Sequence, residues 1–151
     1  MRLTLVRSAL AIVASVLAAA IVPAEMLTPA AWAQKHLVVP DGPKAGEVWD
    51  ASLTPYLIEP LNMLSPDSGV NEIAVRKSAQ TGFSTMMIAA IGHMIDQDPC
   101  RAILVQPTTG ALSDFNKDKL TPAIEATGVL KAKVKPQTSR AGDASTADSK
   151  R

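Results

Sequence analysis

Apolar and polar residues along this chain change period several times, and each change marks an element. Residues 8–22 form an apolar run without a charge, preceded by Arg2 and Arg7. Residues 34–60 show no period; Pro40, Pro43, Pro55 and Pro60 punctuate them, which predicts loop with short elements. Residues 56–64 predict a short helix, with Pro60 early enough to be tolerated near a first turn or to kink it. A turn at 65–69 follows, then a short strand at 71–75 and a loop over 76–84. Residues 85–95 are so apolar that the helix they predict must be buried on most sides. Residues 102–105 are a continuous apolar run of the kind found in buried parallel sheets. A polar helix is predicted from about Ala111, with Pro122 stopping or kinking it. From Pro136 onward there is no apolar periodicity, which predicts a disordered tail over 136–151.

Strand, loop, buried helix, strand and helix in that order predict an α/β fold. It would be part of a parallel sheet with flanking helices, behind an irregular N-terminal extension. Two strands do not make a stable sheet alone, so the chain is expected to be part of a larger domain. Residues 1–28 are set apart as an apolar, signal-like helix, and 29–135 as the folded unit.

The N-terminus supports two readings. The basic start, the apolar run and the small-x-small Ala31-Trp32-Ala33 before Gln34 have the form of an export signal. The alternative is an alanine-rich helix, since alanine is the best helix former. The run is short for a membrane span, which needs roughly 20 apolar residues. It ends well before the Ala-x-Ala site, with Glu25 between. No stable membrane partner is expected.

Composition narrows the function classes. With 47% hydrophobic and 19% charged residues the chain is globular in type. The formal net charge of +1 gives no electrostatic argument for nucleic-acid binding, and 3% aromatics argue against a base-stacking surface. Cys100 is the single cysteine, so no intrachain disulfide forms, and His36 and His93 lie too far apart for a zinc-type cluster. His93, on the apolar helix, is expected to be a satisfied core histidine. Cys100 has no evident base beside it.

The loop at 77–84 carries the candidate chemistry. A phosphate-binding loop needs a strand to deliver it, backbone N–H groups to surround the phosphates, and a helix N-terminus to add partial positive charge. Its usual spelling is G-x-x-x-x-G-K-[ST]. Here the stretch is Lys77-Ser78-Ala79-Gln80-Thr81-Gly82-Phe83-Ser84. Gly82 takes the second glycine place and Ser84 the hydroxyl place that would ligate Mg²⁺. Phe83 stands in the lysine place and Lys77 in the first glycine place. A lysine at the loop's start could reach back over the phosphates. The competing reading is an ordinary strand-to-helix turn that happens to hold a lysine and a glycine.

Arg76 through Ser84 resembles the deviant Walker A loop of the large terminase subunits of lambda-like tailed phages, the GpA type. That family moves its lysine to the loop's first position and often has an aromatic after the glycine. Ala31-Trp32-Ala33 is similar to the family's early Glu-Trp-Ala element. Trp49 and Thr54-Pro55-Tyr56 are similar to its pre-loop segment, and residues 103–108 to the strand and Pro-Thr turn after the loop helix. Residues 115–124, with Lys119 and Pro122, resemble the next family helix; in all the resemblance covers about residues 29–134. It implies a partial P-loop NTPase sheet over 29–135, with ATP and Mg²⁺ held by Lys77, Ser78, Ala79, Gln80, Thr81, Gly82, Phe83 and Ser84. Lys77 would be the catalytic cation and Ser84 the metal ligand. Tyr56 is a candidate to stack on the base, against a core role for the same ring. Leu57 stands where relatives often carry a glutamine that reads adenine, which puts base recognition in doubt.

For the full-length family the resemblance implies a DNA-packaging motor in the host cytoplasm. Its partners would be double-stranded DNA, a small terminase subunit and a portal, and it would act as a homo-oligomer. Hydrolysis needs a carboxylate for Mg²⁺ and a group to orient water. No apolar strand ending in paired acids occurs in the sequence. The chain is therefore expected to be a truncated product that binds nucleotide without hydrolysing it or cutting DNA. The alternatives are a small secreted protein with no enzymatic role and a fragment of a helicase-like P-loop ATPase.

Overall fold

The computed structural model describes residues 25–135. The apolar run at 8–22 and the polar tail from 136 lie outside the described residues.

Helix α1 spans Pro29–His36. Thr28 caps it by accepting from the Ala31 amide, and a proline sits in the first turn where its missing N–H costs nothing. Trp32 and Ala33 are fully buried, so the Ala-Trp-Ala element is helix and core. Beyond α1 the chain folds back on itself. The Val39 amide donates to Glu47 O and the Trp49 amide to Leu37 O, closing an isolated antiparallel bridge between Val38 and Val48. Two short 3₁₀ turns, Ala51–Leu53 and Pro55–Leu57, lead into helix α2, Ile58–Met63. The short helix predicted at 56–64 is therefore present, and Pro60 is accommodated inside it.

Helix α3, Phe83–Asp96, is the centre of the molecule. Met86, Ile88, Ala89, Ala90, Gly92 and His93 are buried along it, as its unbroken apolar sequence predicts. Helices α1 and α2 pack on it, and so does the last of the three C-terminal helices. These three are α4 (Thr109–Phe115), α5 (Thr121–Ala126) and α6 (Gly128–Lys133), with a π-turn at Asn116–Leu120 between α4 and α5. Pro122 lies in the first turn of α5. Having no N–H, it cannot continue the ladder of α4, and the wider turn before it absorbs the mismatch.

The packing of α1 on α3 depends on one close approach. A Cβ on Gly92 would lie 2.5 Å from Cη2 and 2.8 Å from Cζ3 of Trp32. Only a glycine admits the indole there. The indole Nε1 donates to Asp96 Oδ2 at 2.8 Å, and His93 stands edge-on to the ring. His93 Nε2 donates to Leu27 O at 2.8 Å. It is the satisfied core histidine its apolar surroundings predict.

Among the described residues the expected parallel α/β sheet is not present. Among the described residues the regular structure is helical, and neither 71–75 nor 102–105 forms a strand. The reason lies in the backbone. A strand exists only through a partner, and no amide or carbonyl of these two runs bonds to another described residue. Leu104 turns toward an apolar cleft of about 470 Å³ beside α3, lined by Met87, Ile91, Met94, Phe115 and their neighbours. Ile103 borders the same cleft but is 90% exposed, and Val105 is 81% exposed. The apolar runs are real, but the described residues form a set of helices around α3 and not a P-loop sheet.

Candidate functional site

The loop before α3 turns sharply twice. Gln80 (φ 55°) and Gly82 (φ 73°) both adopt the left-handed conformation. Gly82 is the N-cap of α3 and supplies no side-chain cap. A Cβ there would also sit 3.2 Å from Leu57 Cδ1, so glycine is favoured by both conformation and space. The Met86 amide donates back to Gly82 O, while the amides of the first turn have no capping side chain. A 14-residue helix thus presents its partially positive end at the loop.

The predicted site residues fall on one stretch around this end. Lys77, Ser78, Ala79 and Gln80 are exposed, and Thr81, Phe83 and Ser84 are half-buried. Thr81 Oγ1 donates to Ser78 O at 3.5 Å, closing the turn. Tyr56 OH donates to Thr81 O at 3.1 Å, so the ring reaches from the turn before α2 and holds the loop's far side. Tyr56 is 57% exposed, which removes it from the core. Lys77 Nζ donates to Ser78 O at 3.4 Å and lies 5.5 Å from the centroid of the Phe83 ring. Phe83 and Ser84 are the first two residues of α3.

Tyr56, Lys77, Ser78, Thr81 and Phe83 share a cleft of about 310 Å³. Ala79, Gln80, Gly82 and Ser84 are outside its lining. Arg76 lines it too, a second cation that attention to the glycine and lysine register overlooked, although its place next to Lys77 was the available signal. No carboxylate lines the cleft. Among the described residues no three His, Cys, Asp or Glu side chains come together as a metal site. The arrangement suits an anion: two cations, backbone N–H groups at a helix end and small hydroxyls. For Mg²⁺ the loop offers only hydroxyls, those of Ser78, Thr81 and Ser84, so a metal here would be held largely by the phosphates themselves.

The other chemistry-bearing side chains serve structure. Asp96 accepts from Trp32 Nε1, from Gln97 Nε2 at 3.0 Å and from Lys133 Nζ at 2.8 Å. Burial alone would raise its pKa. The hydrogen bonds from Lys133, Gln97 and Trp32, with the Lys133 charge, outweigh that and hold the carboxyl at about 2. Cys100 is exposed and free. No helix of the described residues is long and apolar enough to cross a membrane.

Comparison with known proteins places the chain in a family. Residues 43–151 match the family described as phage terminase large subunit gpA, ATPase domain. That match covers most of the chain, and the protein belongs to this family. A curated relative, the terminase large subunit of Enterobacteria phage P21, is 27% identical over 99 residues. The aligned region is 65% of this chain and 15% of the relative, so the chain spans a small part of that protein's length. No solved structure matches.

Proposed function

We propose that this chain supplies the nucleotide-binding loop of a phage DNA-packaging ATPase, and that residues 77–84 hold the phosphates of ATP. The observation that carries this reading is the doubly left-handed loop. It runs into the uncapped end of α3 with the Lys77 and Arg76 cations beside it. The amides of the first turn of α3 would meet phosphate oxygens. Lys77 would neutralise their charge, and the Ser84 hydroxyl would face the accompanying Mg²⁺. Tyr56, exposed and lining the cleft, would lie against the base. The wider activity is proposed from the family: a large terminase subunit that uses ATP to move double-stranded DNA in the host cytoplasm. Its partners would be a small subunit and a portal.

Holding ATP is separate from hydrolysing it. Transfer to water requires a carboxylate to position Mg²⁺ and a group to orient the attacking water. The cleft contains neither kind of acid, so the chain by itself is expected to bind without turning over. The test is titration of a fluorescent ATP analogue with Mg²⁺ into the protein, with Lys77→Ala alongside. Saturable binding that Lys77→Ala weakens at least tenfold, about 1.4 kcal/mol, is the expected result. Equal binding by both proteins would remove the loop from the reading. Rapid Lys77-dependent phosphate release would overturn the separation of binding from hydrolysis.

A further inference from the structure

We propose that Phe83 is a positioning residue for Lys77, its ring fixing the lysine ammonium over the first turn of α3. This rests on the phosphate-holding reading above and assigns the aromatic a role within it. Phe83 occupies the place where the usual loop spelling has its lysine, and the cation comes instead from six residues earlier. An exposed lysine on a loop samples many rotamers unless something holds it. Here Nζ lies 5.5 Å from the Phe83 ring centroid, within reach of the ring's negative face, and also donates to Ser78 O. The ring itself is a firm platform. Phe83 is half-buried, packs against the hydrophobic core, and begins a helix whose next turns are buried. The pair therefore sets a cation beside the place where the usual spelling has its lysine. The backbone brings Lys77 near, and the aromatic face sets where its charge rests.

The contact and its use can be tested separately on the full chain. With ¹³C-labelled lysine, the ε-methylene resonance of Lys77, assigned through Lys77→Arg, should be shifted upfield by the ring. The shift should persist in Phe83→Tyr and vanish in Phe83→Leu. An unshifted resonance in the wild type overturns the proposal whether or not nucleotide binds. With the fluorescent ATP analogue and Mg²⁺, Phe83→Leu should weaken binding about two- to fivefold and Phe83→Tyr should restore it. In a Lys77→Met background Phe83→Leu should have no further effect. Equal losses in both backgrounds would mean the ring only packs, and that overturns the proposal. So would tighter binding by Phe83→Leu, which would mean the ring holds Lys77 away from the phosphates. A ring-shifted lysine in a protein that binds no nucleotide supports the Phe83–Lys77 placement and overturns the phosphate reading instead.

Discussion

Gly92 shows how much one missing methyl group can decide. In the interior of a helix glycine costs up to about 1 kcal/mol relative to alanine, so its presence midway along α3 needs a reason. The reason is Trp32, whose six-membered ring occupies the space of the absent Cβ. Gly92→Ala is expected to lower stability by about 1–3 kcal/mol despite the better helix former, because the indole must leave its bond to Asp96 to make room. A thermal melt of the variant checks this, and an unchanged or higher melting temperature would show that the indole relocates freely. The glycine was visible in the sequence as an oddity within an apolar run. Its partner, 60 positions earlier, was not, because nothing local links residue 32 to residue 92.

At the scale of elements, Asp96 joins three helices at one carboxylate. It is the last residue of α3, it receives the indole N–H of α1, and it pairs with Lys133 at the end of α6. Lys133 also donates to the Asp96 carbonyl. Because its folded pKa is lowered to about 2, Asp96 contributes stability above the ordinary carboxylate value, near 3.9. That contribution is lost as pH falls through the folded value. Between about pH 4 and pH 2 the wild type should lose on the order of 1–2 kcal/mol from this group. Asp96→Asn should be weaker at neutral pH and should flatten that part of the curve. Denaturant melts at a series of pH values measure it, and parallel curves for the two proteins would rule the carboxylate out as the source.

Helices and strands were unequally legible, for a physical reason. The α3 helix could be read from residues 85–95 because a helix makes its own hydrogen bonds and the apolar run fixes its burial. Its actual start at Phe83 follows from the left-handed Gly82. Residues 71–75 and 102–105 have strand-like composition, but a strand is a property of two segments, and no described segment pairs with either. The loop was legible as a candidate from Gly82, Ser84 and Lys77. The lysine–aromatic contact was not, since the spelling marks Phe83 only as a departure from the pattern. Tyr56 was left open between base and core, and its exposure follows from its tether to the Thr81 carbonyl, which holds the ring at the cleft's rim.

At the scale of the molecule, the most conspicuous surface feature is apolar. Ile103 and Val105 stand almost fully in water on a run whose backbone hydrogen bonds are unspent among the described residues. Exposed β-branched side chains beside free amides and carbonyls are a template for association. The 151-residue protein is therefore expected to self-associate as its concentration rises. Ile103→Lys with Val105→Thr should suppress this severalfold while leaving the melting temperature within about 2 °C, because neither side chain is part of the core. Sedimentation velocity over a concentration series reads the outcome. Unchanged association would move the sticky surface elsewhere.

The end of α3 has one further consequence. Leu27 is bonded there through Gln97 and His93, and Lys133 through Asp96, so two points far apart in sequence are fastened to the same helical turn. A tug on either side strains that one turn of α3 through its own bonds, and melting of the turn would release both sides together.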